Sequence, residues 1–233
     1  MYVDNLNAHA PGFTPEETNA VRGVAEVIAR SKGRVIVAMF ASNIDRLGTL
    51  ASTAWEFGRP IFFAGGSMLF SQELAYSRGY ELRRGDESMD RPVVFVTGCQ
   101  AEEWSILDRE FRGRPPLWLH DGDMVVFSSR AIPGNEDSVK SLVEKLAERG
   151  CGTVLHEGEM AKLGLSSSDR ITESFVHVSG HGSAEDIRLA MRLVRPKRVV
   201  PSVYTSPQIE AFREIAASLG VEVFEAPGNR IVL

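Results

Sequence analysis

Three short stretches combine hydroxyl, amide and imidazole groups at spacings that could hold an anion or move a proton. The first is Phe40-Ala41-Ser42-Asn43-Ile44-Asp45. Ser42 reads as a helix N-cap, with Asp45 three residues on as in a capping box. The second runs from Val125 through Phe127-Ser128-Ser129-Arg130 to Ile132-Pro133-Gly134-Asn135-Glu136. A strand ends there, Pro-Gly turns the chain, and Asn135 is placed to cap a helix whose first turn holds Glu136 and Asp137, where the macrodipole favours acids. The third is His177-Val178-Ser179-Gly180-His181-Gly182-Ser183. Ser183 and Asp186 again have capping-box spacing, and the glycines let the backbone approach a ligand closely. Free N–H groups at helix starts suit a phosphate. Ser42, Asn43, Ser129, Ser179 and Gly180 are therefore candidate phosphate contacts, and His181 could donate to an anion or carry a proton. Each junction also has a plain reading, because Ser and Asn at helix starts are ordinarily caps. Two histidines flanking Ser-Gly have no capping purpose, which makes the third junction the more informative.

Positioning such loops requires a scaffold of alternating strands and helices. Short β-branched and aromatic runs predict strands at Arg34–Phe40, Pro60–Ala64, Pro92–Thr97, Met124–Ser128, Gly152–Leu155, Phe175–Val178, Arg198–Pro201 and Val221–Phe224. Between them lie amphipathic helices. Val21, Val24, Ala25 and Ile28 share one face, as do Val139, Leu142, Val143 and Leu146, and Ile187, Ala190, Met191 and Val194. This alternation predicts an α/β fold of βαβ units around a parallel-rich sheet, with ligands at the carboxyl ends of its strands. The charged stretch Gly79–Arg91 reads as an exposed connection, and Ser166–Arg170 as a second candidate boundary.

Composition bounds the rest. The 233 residues are 43% hydrophobic and 24% charged, which excludes wholesale disorder. A formal net charge of −5 argues against holding nucleic acid by bulk positive charge alone, though not against a local basic groove. Cys99 and Cys151 form no CxxC pair, so a disulfide framework and a cysteine-rich zinc site are both excluded. No stretch has the length and apolarity of a membrane span, and Asp4, Asn5 and Asn7 stand where a signal peptide would be apolar. The expectation is a reduced, cytoplasmic protein with no membrane partner. Arg188, Arg192 and Arg195 recur at helical spacing, with Lys197 and Arg198 extending the cluster. They suit either a phosphate-backbone track or a solvated helix face, and the second reading is preferred. Arg30, Lys32 and Arg34 admit the same two readings.

The three strings, taken together, resemble the ribonuclease J family, β-CASP ribonucleases of the metallo-β-lactamase superfamily. Phe40-Ala41-Ser42-Asn43-Ile44, Ile132-Pro133-Gly134-Asn135-Glu136 and His177-Val178-Ser179-Gly180-His181 occur in the family's order. Asp4-Asn5-Leu6-Asn7-Ala8, followed by Pro11-Gly12-Phe13-Thr14-Pro15, is similar to the entry into the β-CASP insertion. The resemblance implies a layered α/β β-CASP domain with a partial metallo-β-lactamase segment. Residues 1–12 would be the motif A strand, 13–170 the β-CASP domain and 171–233 the returning metallo-β-lactamase segment. It also implies that Asp4 (motif A) and His181 (motif B) are catalytic-site residues that orient or protonate a scissile phosphate. His177, Ser179, Gly180 and His181 would hold the RNA phosphate, with Ser42, Asn43 and Ser129 as further contacts.

The chain also departs from that family. Ribonuclease J holds two zinc ions through an HxHxDH motif, a further His and an Asp, all upstream of motif A, and this sequence begins at motif A. The scattered His9, His120, His156, His177 and His181 cannot rebuild that set. Where motif C has Pro-Val-His-Gly, this chain reads Pro201-Ser202-Val203-Tyr204, and a valine cannot ligate a metal. The family's Ser-Gln-Gly-Glu-Pro element becomes Cys99-Gln100-Ala101-Glu102-Glu103. An isolated His–Asp pair supplies roughly a hundred- to ten-thousandfold, far below what phosphoester hydrolysis needs. The expectation is an RNA-processing relative without metal ligands of its own, inactive alone, that binds RNA or a partner. One alternative is a subunit of a split or heteromeric nuclease, with zinc ligands from a metallo-β-lactamase partner. Another is a structural pseudoenzyme docked to an active relative or to a second copy of itself. Outside the family, a doubly wound domain binding a small phosphorylated ligand stays open, although no GxGxxG or P-loop string is present.

Overall fold

The apolar runs become strands where β-branched residues are buried on both faces. A computed structural model of the chain describes residues 1–82, 90–113 and 115–225. The chain opens with β1 (Tyr2–Val3), α1 (Glu17–Arg30), β2 (Val35–Ala38), α2 (Ile44–Glu56), β3 (Ile61–Phe63) and α3 (Gly66–Ser77). It continues through β4 (Val93–Val96), α4 (Ile106–Arg109), β5 (Met124–Phe127), α5 (Glu136–Glu148), β6 (Gly152–His156), α6 (Glu159–Leu163) and β7 (Ile171–Ser174). It closes with α7 (Ala184–Val194), β8 (Arg198–Pro201), α8 (Gln208–Ser218) and β9 (Glu222–Val223).

Two units divide these elements. The larger, Glu17–His177, holds a six-stranded sheet of order β3-β4-β2-β5-β6-β7. The smaller joins Met1–Glu16 to Val178–Leu233 and holds a three-stranded sheet of order β1-β8-β9; residues 226–233 lie outside the described set. Every ladder is parallel, as the α/β reading requires. The expected boundaries at 12/13 and 170/171 fall a few residues from these seams, because β7 pairs with β6 and so stays with the larger unit.

In the larger unit the helices cover both faces of the sheet. Val24 and Ile28 of α1 join Leu47, Leu50 and Ala54 of α2 in one core, and Val139, Leu142, Val143 and Leu146 of α5 close the other. The chain runs from β2 out to β3, returns through β4, then crosses β2 to continue at β5. That reversal makes the carboxyl ends of β2 and β5 the topological switch point, where such sheets place their binding crevice. Among the described residues no helix is long and apolar enough to cross a membrane.

Three local expectations need correction. Phe175–Val178 is not a strand; β7 lies four residues earlier, and Val176 is fully buried as part of the core. Asn43, not Ser42, caps α2, its side chain accepting the Arg46 N–H, while Ser42 is exposed. Val194 is 60% exposed and leaves the α7 apolar stripe that Ile187 and Met191 bury. Of the Gly79–Arg91 connection, residues 83–89 lie outside the described set.

Candidate functional site

In the smaller unit, chemistry collects at the carboxyl end of β1. Val3 pairs with Pro201 of β8, so Asp4 and Asn5 leave β1 beside Ser202 and Val203. Asn5 is fully buried and stitches the two ends together. Its Oδ1 accepts from Ser202 N at 2.9 Å and Val203 N at 2.8 Å, and its Nδ2 donates to Val203 O at 2.8 Å. Asp4 uses Oδ1 to accept the Leu6 N–H at 3.0 Å, which turns Oδ2 onto His181 Nδ1. Asn7 Nδ2 then donates to Ser179 Oγ at 2.9 Å and to His181 O at 3.1 Å. The His181 N–H also donates to Ser179 Oγ, at 3.2 Å. The loop is anchored below by Asp186, which accepts from Thr14 Oγ1 at 2.7 Å and from Ser183 N at 3.0 Å. That second bond is half of the capping box expected for α7.

The structure therefore brings Asp4 to the Ser179–His181 loop, more than 170 residues away in sequence. Asp4 fixes the His181 tautomer: Nδ1 faces the carboxylate, and Nε2 is left to accept or donate a proton. Burial pushes the Asp4 carboxyl up, but the His181 imidazole and the Leu6 N–H outweigh it and hold its pKa below the usual 3.8. Ser179 Oγ already accepts from two donors, so its own hydrogen is free for a further acceptor such as a phosphate oxygen. Gly180 is exposed, and a Cβ there would meet nothing within 4 Å.

In the larger unit, Arg46 organises the switch point. It projects from the first turn of α2 and is 2% exposed. Nη1 donates to His177 Nδ1 at 2.8 Å and to Ser128 O at 3.2 Å, and Nη2 to Glu17 Oε2 at 2.8 Å. A guanidinium only donates, so as its acceptor His177 Nδ1 carries no proton, an arrangement that leaves the 3.2 Å approach of Nδ1 to Ser128 O without a hydrogen. The His177 backbone N–H donates in turn to His156 Nδ1 at 3.2 Å, which puts the second imidazole in the same tautomer. Burial, reinforced by the Arg46 charge, pulls His177 down to about 3. Burial and Arg130 pull His156 down to about 4. Both rings are neutral at pH 7.

Ser129 is 3% exposed beside Cys99, whose thiol burial pushes up to about 11. Gln100 clips the Ile-Pro-Gly-Asn-Glu loop, donating to Arg130 O at 2.7 Å and accepting from Ile132 N at 2.8 Å. Glu159 accepts the Ala131 N–H between them at 2.8 Å. Asn135 occupies the N-cap position of α5 without a capping side-chain bond, although Glu136 and Asp137 stand in the first turn as expected. Sequence reasoning missed Asn5, Asn7, Thr14, Arg46 and Gln100. The Asp4–Ala8 string, taken only as a likeness, was the available signal for the first two. Of the basic stripe, Arg188 is paired with Glu185, and Arg198 lies 3.7 Å from Glu222.

A parallel α/β sheet that reverses between β2 and β5, with a Ser-Gly loop closed by an Asp–His pair, agrees with a β-CASP type of fold. Residues 32–146 match the family model for the β-CASP domain of ribonuclease J, and the chain as a whole is ribonuclease J-like. It is 33% identical to the ribonuclease J of Mycolicibacterium smegmatis over 99% of its own length and 40% of that protein. It is 32% identical to ribonuclease J of Thermus thermophilus over 86% of this chain and 34% of the relative. Ribonuclease J2 of Bacillus subtilis is 31% identical over 95% of this chain and 39% of the relative. The chain thus spans about 40% of the length of such relatives.

The zinc pair that the resemblance implies does not fit the residues present. Among the described residues no three His, Cys, Asp or Glu side chains converge. Asp4 and His181 alone fall short of the three protein ligands of a catalytic zinc. The motif C position is Val203, whose backbone Asn5 holds from both sides.

Proposed function

We propose that this chain is an RNA-binding module of the ribonuclease J kind that does not hydrolyse RNA by itself. The observation that supports this most directly is the Asn7–Ser179–His181–Asp4 network. Among the described residues it leaves the Ser179 hydroxyl hydrogen and His181 Nε2 unengaged, at a loop whose backbone is open at Gly180. A hydroxyl donor, an imidazole and exposed N–H groups suit a phosphodiester oxygen. Any zinc would need ligands beyond those these residues supply.

The test is binding of single-stranded RNA by fluorescence anisotropy across a salt series. Affinity should fall with salt, as phosphate contacts require. Ser179→Ala combined with His181→Ala should weaken it about tenfold or more, at about 1–1.5 kcal/mol for each lost bond. Binding no tighter than that of an unrelated acidic protein would overturn the proposal.

Exposed Leu189, Leu193 and Val194 on α7 favour a second reading, in which this unit docks to an active relative or another copy. Under that reading the double variant leaves RNA affinity unchanged, and a solution mass above that of one chain appears.

A further inference from the structure

The larger unit carries a cleft that none of this chemistry uses, near the amino-terminal ends of β2, β4 and β5. Its floor is the sheet face shared by Phe62 and Val94, which are register partners on β3 and β4. Lys32 and Arg34 line it ahead of β2, Arg91 ahead of β4, and Leu117 and His120 ahead of β5. The volume is about 750 Å³, within the range of small-ligand sites.

The walls hold Lys32, Arg34 and Arg91 against one carboxylate, Asp90. Arg34 is neutralised by Asp123, with Nε to Oδ1 at 2.9 Å, and Arg91 lies 3.3 Å from Asp90. Arg59 is different. It is 3% exposed, and its guanidinium donates to backbone carbonyls only: Ile28 O at 2.8 Å, Ser31 O at 3.2 Å, Gly33 O at 2.7 Å and Arg91 O. Two of those carbonyls belong to cleft residues, Gly33 and Arg91. No carboxylate among the described residues lies within ion-pair distance of this buried cation, and exposed Lys32 likewise forms no ion pair with them. The carboxylate whose charge bears on it, Asp90 of the cleft wall, is already paired with Arg91, so an anion in the cleft would offset the remaining cost of this buried cation.

The backbone supports a built site. Arg91 and Trp118 both adopt left-handed φ, 53° and 50°, where side chains are strained. Each is held there by an arginine: Arg59 bonds the Arg91 carbonyl, and Arg34 the Trp118 carbonyl at 3.1 Å. Trp118, 73% exposed, lies in the same segment as the cleft residues Leu117 and His120. An anion alone would not need an aromatic and aliphatic floor, whereas an apolar ligand would not need the cations.

We propose that this cleft binds a nucleotide, with the base on the Phe62 face and the phosphate at Lys32 and His120. The nucleotide is either a free nucleoside monophosphate or one unit of an RNA strand. Stacking of bases on aromatic side chains tolerates any base, so affinity rather than base preference is the expected property. This inference does not rest on the Ser179–His181 reading.

Isothermal titration of the full chain with AMP, UMP, adenosine, inorganic phosphate and an oligoadenylate tests it. AMP or UMP should bind saturably, with adenosine and phosphate each at least tenfold weaker. Binding of AMP assigns a free nucleotide, and binding of the oligonucleotide without AMP assigns a strand. Lys32→Gln with His120→Gln, both at exposed positions, should weaken that binding at least tenfold. Ser179→Ala with His181→Ala should not, which separates this cleft from the first site. No saturable nucleotide binding at millimolar concentration, inorganic phosphate binding as tightly as AMP, or affinity unchanged in the Lys32/His120 variant would each overturn the proposal.

Discussion

His156 and His177 are held neutral by burial beside Arg46 and Arg130, and that has a thermodynamic sign. Their folded pKa values, about 4 and about 3, lie below the 6.5 of the unfolded chain. Between those limits the unfolded state binds protons that the folded state refuses. Stability of the larger unit is therefore fully present above pH 6.5 and is lost progressively as pH falls toward 4. His177→Gln keeps an acceptor for Arg46 and removes one titrating group, so the slope of urea midpoint against pH in that window should fall by about half. Asp4 has the same direction from a different cause. Its lowered pKa contributes stability that is present above 3.8 and lost below it, so Asp4→Asn should flatten the most acidic limb. At the same scale, Thr153 Oγ1 is buried in β6 without a hydrogen-bond partner among the described residues. Thr153→Val removes an unsatisfied group and keeps the shape, and should raise stability by about 1 kcal/mol in urea denaturation. The residues legible from the sequence were those in short strings, such as Ser179 and His181. Asn7 and Arg46 were not, because each acts across more than 100 residues on a partner no local pattern names.

Elements were more legible than side chains, and the failures have physical reasons. Seven of the eight predicted strands fall on observed ones because a fully buried parallel strand is a short apolar run. The eighth, Phe175–Val178, is equally apolar, yet Val176 is buried by the core without pairing into the sheet. The edge strand β7 reads Ile-Thr-Glu-Ser and exposes Thr172 and Glu173, so its polarity hid it. The connection leaving β7 also explains a glycine in α1. A Cβ at Gly23 would overlap the Phe175 carbonyl, so the helix can approach this segment only without a side chain there. Alanine normally favours a helix over glycine by about 1 kcal/mol. Here the clash should win, and Gly23→Ala should destabilise the larger unit by about 1–3 kcal/mol. Ala substitution at Gly66, which meets nothing within 4 Å, is the matched control and should not destabilise.

At the scale of the whole molecule, the chain builds one unit as an insertion within the other. The smaller unit joins the first segment of this sequence to its last, since β1 comes from the first residues and β8, α7 and α8 from the last third. Its core of Val3, Ile187, Met191, Val199, Phe212 and Ile215 shares no residue with the two cores of the larger unit. Separate cores make separate unfolding steps the expectation, and a single unfolding free energy would then be undefined. Asn5 is the residue that tests this, because it joins the first segment to the last through Ser202 and Val203. Asn5→Ala leaves the Val203 N–H and carbonyl without their partner, while the Ser202 N–H keeps Val3 O, and should cost about 1–3 kcal/mol. All three tryptophans, Trp55, Trp104 and Trp118, lie in the larger unit, so their fluorescence reports that unit alone. In the Asn5→Ala protein the far-UV circular dichroism should develop an early transition while the tryptophan-monitored midpoint stays where it was. A tryptophan midpoint that moves with the dichroism would show instead that the inserted unit depends on its host for stability.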